Sequence, residues 1–197
     1  MNQSYLSKAR ASIKYGHLKN QKPLLIILMG LPGTGKSYLA NHLNEKYSFA
    51  ILSGENITHS IFGSGKHSQL QYAEAYEILR FLVTELLEQS YNVVIDGTNL
   101  KYLFRKQIYE SIGSLSKPVL IYLSADDTTA LKRANLRGED YSNPENILSK
   151  CSPETFAAFK TQLEPPRENE TCYKIDSDEK LFEKVDTIVA EMIKSNI

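Results

Sequence analysis

Between residues 24 and 37 the chain reads Leu-Leu-Ile-Ile-Leu-Met followed by Gly30-Leu31-Pro32-Gly33-Thr34-Gly35-Lys36-Ser37, and no other stretch restricts the fold as tightly. Six apolar residues in a row, without polar alternation, suit a central parallel strand covered on both faces. Such a strand requires helices on both sides, so strand and helix should alternate around one parallel sheet. Gly30, Gly33 and Gly35 permit backbone torsions that bulkier residues resist, and successive N–H groups can then turn inward on an anion. A helix beginning near Lys36 adds the positive end of its dipole. The run matches G-x-x-x-x-G-K-[ST] at every fixed position, with a strand before it and a helix after it. Gly30, Leu31, Pro32, Gly33, Thr34, Gly35, Lys36, Ser37 and the adjoining Tyr38 are therefore the expected nucleotide-binding residues. Lys36 should reach the β- and γ-phosphates, and the Ser37 hydroxyl should ligate Mg²⁺.

The remaining pattern agrees with such a sheet. Further strands are expected at 50–53, 91–95, 119–123 and 172–175. Helices are expected over 37–46, 69–89, 100–112, 126–136, 153–163 and 179–193, while 54–68 reads as a polar connecting segment. In the 69–89 stretch Ala73, Tyr76, Leu79, Leu82, Val83, Leu86 and Leu87 keep the 3.6-residue period. Residues 4–18 can form a short helix, so 1–21 is expected to be an extension ahead of one domain at 22–197, a length that suits a single core.

Several function classes fall away on composition. Lys+Arg and Asp+Glu number 23 each, which gives no global attraction toward nucleic acid or an anionic membrane. Cys151 and Cys172 have neither the number nor the spacing of a disulfide framework or a zinc site. The N-terminus lacks a basic stretch followed by an apolar run, and 24–29 is too short to span a bilayer. A cytoplasmic protein is expected.

Asp96 closes the strand Val93-Val94-Ile95. Ligands of doubly wound sheets sit outside the carboxyl ends of the strands, so Asp96 is a candidate metal-side or substrate-side carboxylate. The alternative is a cap on the next turn or helix. Gly97 follows it, where a water-activating ATPase usually carries Glu, and no Asn-Lys-x-Asp guanine reader occurs. These features favour transfer of a phosphoryl group to another molecule over hydrolysis.

Taken together, Gly30–Ser37, Leu52-Ser53-Gly54-Glu55, Asp96-Gly97-Thr98-Asn99-Leu100 and the helix bearing Arg133 and Arg137 resemble P-loop kinases of the AAA_33-like group, related to the kinase domain of polynucleotide kinase and to zeta toxins. The likeness runs from about residue 22 to the C-terminus and includes Ser152-Pro153-Glu154-Thr155 and Leu163-Glu164-Pro165-Pro166. It implies a three-layer α/β/α P-loop nucleoside triphosphate hydrolase fold, a five-stranded parallel sheet in the order 2-3-1-4-5 and a helical lid. It also implies ATP and Mg²⁺ as cofactors and a hydroxyl-bearing small molecule as acceptor. The group usually has Ser-Ser-Asp-x-Ile-Arg after the second strand; here Ser53-Gly54-Glu55-Asn56-Ile57-Thr58 stands instead. Glu55 keeps a carboxylate for the base role, and Thr58 replaces a cation, which disfavours a nucleic-acid end as acceptor.

The resemblance further makes Arg133 and Arg137, four residues apart on one helix face, the arginines that neutralise charge on the transferred group. Gly138-Glu139-Asp140 would serve as the hinge of that lid. Lys36, Glu55, Asp96, Arg133 and Arg137 are thus the catalytic candidates. Glu55, Thr98, Asn99 and Arg105 are the substrate-side candidates, and Ser37 with Asp96 the metal-side ones. Neither His59 nor His67 is counted, because a lone loop histidine is usually a solvated polar group. Two readings compete: a kinase of nucleic-acid 5′-hydroxyls or nucleotide sugars, and a nucleotide-binding regulatory ATPase module acting through an unknown protein partner, with 4–18 as its docking helix.

Overall fold

A computed structural model describes residues 2–136 and 151–195. Five strands, β1 (Leu25–Met29), β2 (Ala50–Ser53), β3 (Val93–Asp96), β4 (Pro118–Ser124) and β5 (Cys172–Asp176), form one sheet in the order β2-β3-β1-β4-β5. Every neighbouring pair is parallel. The apolar run forms the middle of this sheet because its side chains have a core to enter on each face. Leu25, Ile27 and Met29 join one hydrophobic cluster, whereas Leu24, Ile26 and Leu28 join the other. This period-2 division makes the three layers.

Eight helices surround the sheet among the described residues: α1 (Gln3–Ala11), α2 (Lys36–Tyr47), α3 (Gly54–Phe62), α4 (Gln69–Glu88), α5 (Tyr102–Ile112), α6 (Asp127–Leu136), α7 (Pro153–Thr161) and α8 (Leu181–Ser195). Leu39, Ala40 and Leu43 of α2 and Val185, Ile188, Val189 and Met192 of α8 cover one face. Residues of α1, α3, α4, α5, α6 and α7 cover the other. None of the described helices is long and apolar enough to cross a membrane.

Two elements differ from the sequence expectation. The connecting segment at 54–68 contains α3, started by Ser53, whose hydroxyl accepts the Asn56 N–H, and followed by a capping box of Ser68 and Gln71 that starts α4. Gly54 at the helix start and the polar residues between its buried positions hid this element. The N-terminal helix ends at Ala11 rather than near 18, and the chain then pairs with the sheet, Lys14 bridging Ile51 antiparallel. Leu6 and Ala9 are buried in the same cluster as α3 and α4, and Arg10 donates to both carboxylate oxygens of Glu85 on α4 from Nη2 and Nε, at 2.6 and 3.0 Å. Close approach fixes the next stretch: a Cβ on Gly16 would meet the Ser48 carbonyl oxygen at 1.8 Å.

Candidate functional site

The loop between β1 and α2 is wound by its sequence into a cradle. Gly30, Gly33 and Gly35 have φ of +149°, +81° and +87°. A Cβ at Gly33 would lie 1.8 Å from the backbone oxygen of Ala130 on α6, so that position excludes a side chain on two grounds. Gly33→Ala should cost about 1–2 kcal/mol from the torsion alone. With the clash added, a fall in melting temperature of at least about 2–8 °C is expected in thermal denaturation.

Gly35 is the N-cap of α2 and offers no side-chain cap, which leaves the first N–H groups of the helix for an anion. The Thr34 hydroxyl closes the loop on the Leu31 carbonyl at 2.9 Å. Lys36, 7% exposed, directs its ammonium back into the loop, 2.8 Å from the Leu31 oxygen and 3.5 Å from Thr34 Oγ1.

The sheet order brings the second motif to the same end. β3 lies between β1 and β2, and the register sets Asp96 beside Ser53, two residues before Glu55. The Gly30 N–H donates to the Thr98 carbonyl at 3.1 Å, joining the phosphate-type loop to the segment after β3. Asn99 is buried with φ +43°, a left-handed conformation that Asn tolerates, and its amide donates to the Leu28 carbonyl at 2.7 Å. Asn99 therefore pins the end of β1 from inside the fold. Thr98, like Asp96, is half-buried at the sheet end.

Arg105 departs from the sequence expectation. It was expected on the acceptor side, but the structure buries it completely in an ion pair with Glu170. The guanidinium meets the two carboxylate oxygens at 2.7 and 2.9 Å and donates to the carbonyls of Asn99 and Leu100 at 2.9 and 3.0 Å. Burial alone would push the Glu170 carboxyl up. Hydrogen bonds from Arg105, the Tyr109 hydroxyl and the Arg167 N–H reverse this and hold it below the usual carboxylate range. Arg105 is thus an anchor for the Asp96–Asn99 turn. Thr58 also points inward, its hydroxyl donating to the Gly54 carbonyl at 2.7 Å.

Beyond the loop a cleft of 540 Å³ opens between Gly33, Gly35, Tyr38, Arg133, Ser177 and Phe182. Tyr38 and Phe182 bring their ring centres to 4.9 Å, and His42 stacks on Phe182 with ring centres 3.9 Å apart. The exposed Arg133 reaches across from α6 to Ser177 Oγ at 3.2 Å. Ser177 in turn is fixed by its N–H on the Ser124 carbonyl. Neither Ser177 nor Phe182, in the turn after β5 and the start of α8, belongs to a short sequence motif. Only the position of a strand end beside β4 could have indicated them. Arg137 and the hinge expected at 138–140 lie outside the described residues.

On the other side of the sheet end, Glu55 opens α3 and stays partly solvated, with a side-chain exposure of 39%. Tyr76 of α4 packs over Gly54 and stacks on Phe104 of α5, ring centres 5.1 Å apart. Burial, then Tyr72 and Glu55, raise the Tyr76 hydroxyl above its ordinary pKa, so it stays protonated near the carboxylate. Among the described residues no group of three His, Cys, Asp or Glu could hold a metal ion by itself. Ser37, in the first turn of α2, and Asp96, at the end of β3, carry hard oxygen donors of the kind that Mg²⁺ takes.

Several solved structures share this architecture. A sugar kinase from Janibacter superposes with a TM-score of 0.66 at 12% identity, over 88% of this chain and 98% of the other. Kti12 from Chaetomium thermophilum, solved with ADP-AlF3, gives 0.61 at 17% identity, over 86% and 98%. A gluconokinase from Sinorhizobium meliloti gives 0.55 at 19% identity, over 90% and 95%. At these identities the likeness is one of fold, that of the P-loop kinases. No curated protein matches the sequence. Residues 25–166 match the family model AAA_33, described as an AAA domain, and the chain belongs to that family.

Proposed function

We propose that this protein is an ATP-dependent phosphotransferase that moves the γ-phosphoryl group to a hydroxyl of a small molecule. The observation that carries the reading is the register of the sheet: it brings Asp96 and the start of α3, with Glu55, to the end of the sheet where the Gly30–Ser37 cradle opens. A phosphate donor and a carboxylate base then share one crevice. Gly30 to Ser37 hold the phosphates with backbone N–H groups, and Lys36 supplies the matching charge. Tyr38 and Phe182 offer the flat apolar surfaces that a nucleotide base requires, and Arg133 lies at the same cleft to meet phosphate charge. The sugar kinase and gluconokinase relatives by fold support transfer to a hydroxyl.

In the transfer the acceptor oxygen bonds to the γ-phosphorus while the bond to the β–γ bridging oxygen breaks, ADP leaves, and the acceptor proton passes to Glu55. Ser37 and Asp96 would hold Mg²⁺, which would neutralise charge on the phosphate oxygens. Thr98 and Asn99 complete the acceptor side, Asn99 chiefly through the backbone it fixes.

The test is ADP release with ATP·Mg²⁺ and a panel of D-gluconate, other sugar acids, neutral sugars, polyols and a 5′-hydroxyl oligonucleotide. One panel member should raise ADP release well above the rate without acceptor, and Glu55→Gln should lower that rate by about 10²–10⁴-fold. If every panel member leaves ADP release at its basal level while Lys36→Ala abolishes nucleotide-dependent capture of a protein partner, the regulatory reading replaces this one.

A further inference from the structure

We propose that His59 is a positioning residue for Glu55, donating its Nε2–H to the carboxylate and aiming it into the acceptor crevice. This rests on the assignment of Glu55 as the acceptor-side base. The two residues lie one turn apart on α3, with Nε2 of His59 4.0 Å from Oε1 of Glu55. Glu55 is the more exposed partner, its side chain 39% exposed against 17% for His59. Rotation of the carboxylate about its own side-chain bonds closes the gap, as catalytic hydrogen bonds tighten when substrate binds.

The other ring nitrogen decides the tautomer. His59 Nδ1 is buried and has no hydrogen-bond partner among the described residues. A proton on Nδ1 would bury an unsatisfied donor and turn the Nε2 lone pair toward a carboxylate oxygen, two unfavourable arrangements at once. A proton on Nε2 leaves only a buried lone pair and presents a donor to Glu55. Burial and the neighbouring His67 both press His59 below the ordinary histidine range, so the ring is neutral at pH 7. A neutral donor orients the carboxylate and lowers its proton affinity less than a cation would, which keeps Glu55 basic enough to take a proton.

The surroundings hold this ring in place. His67 packs on His59 at 5.4 Å between ring centres, has the Phe62 and Tyr72 rings at 6.2 and 5.7 Å, and has Nε2 3.0 Å from the Gly63 carbonyl oxygen. Phe62 is buttressed from α1 by Tyr5, edge to face at 5.3 Å. The groups that titrate around His59 are thus Glu55 on its own helix, His67 on the following segment and Tyr72 and Tyr76 on α4.

Long-range ¹H–¹⁵N correlation spectra of the full chain, without ligand, should show His59 as the neutral Nε2–H tautomer, and Glu55→Gln should move its ring nitrogen signals and titration midpoint. With the panel compound that raises ADP release most, His59→Phe should lower kcat about tenfold while KM for ATP stays within twofold. His59→Gln, which keeps an N–H donor, should recover to within about threefold of wild type. In a Glu55→Gln background His59→Phe should add nothing further, because residues acting as one unit are not additive. An Nδ1–H tautomer, ring signals that Glu55→Gln leaves unmoved, or a His59→Phe loss undiminished in that background would each overturn the proposal. Failure of the acceptor panel would instead strike the phosphotransferase reading, and the spectra still decide the pairing.

Discussion

Lys36→Ala should lower phosphoryl transfer by at least about 10²–10³-fold, the scale seen when one preorganised electrostatic contact to a transition state is removed. The side chain is almost wholly buried and already faces the loop interior through the Leu31 carbonyl. Its charge therefore acts in a poorly hydrated place, where a Coulombic contact to phosphate is screened little. Lys36→Arg should not restore the rate, since a planar fork cannot occupy the space of a compact ammonium inside this turn. Fold stability should change little, because the glycine torsions and the Thr34–Leu31 closure remain. The measurement is kcat with the responsive acceptor, set beside the melting temperature with and without ATP·Mg²⁺. A variant that keeps its nucleotide-induced rise in melting temperature and its rate would remove Lys36 from the site.

Arg105→Met should produce the largest loss of stability. Removing one member of a buried pair leaves the Glu170 carboxylate uncompensated, a cost of about 3–5 kcal/mol. For a domain of this size that corresponds to a fall of about 6–20 °C in melting temperature. Replacing Glu170 by Met as well should recover most of it, because two apolar side chains require no charge compensation.

The pH dependence follows with a definite sign. In the wild type Glu170 lies below its unfolded pKa, so its contribution is full above that value and is lost as pH falls through the folded one. In Arg105→Met the buried carboxyl rises instead, and protonation relieves its penalty. The stability gap between the two proteins should therefore narrow as pH drops from 7 toward 4. A gap that widens on acidification would show that Arg105 does not hold Glu170 as an ion.

Both results bear on what was legible in the residue string. The winding of the Gly30–Lys36 loop was, because it depends on three glycines and one Lys within seven positions, and local chemistry is what a sequence states most directly. The sheet was legible for a related reason: β1 is wholly apolar and β2 apolar up to Ser53, and their edges lie within a residue of the expected ones. Arg105 was misplaced because its partner stands 65 residues away and reaches it through the turn after Pro165. Nothing in the residues around Arg105 tells an anchoring arginine from an acceptor-binding one. α3 was hidden by Gly54 and by its brevity, and with it the fact that Glu55 and His59 share a helix face. His59 looked like a solvated loop residue only because that helix was not seen. The cleft wall at Ser177 and Phe182 depends on β5 lying beside β4, a tertiary fact with no local signature.

The bond from the Gly30 N–H to the Thr98 carbonyl has a consequence for how such a protein can change. It attaches the nucleotide cradle to the rigid β3 turn, which Asn99 and Arg105 secure from below, and leaves α3 and the segment at 63–68 outside that welded unit. The chain is thus divided into a chassis and an exchangeable fitting. On the proposed function, changing the exposed positions between 56 and 68 while keeping Glu55, His59 and the buried Ile57, Thr58 and Ile61 should alter acceptor choice and leave nucleotide binding unchanged.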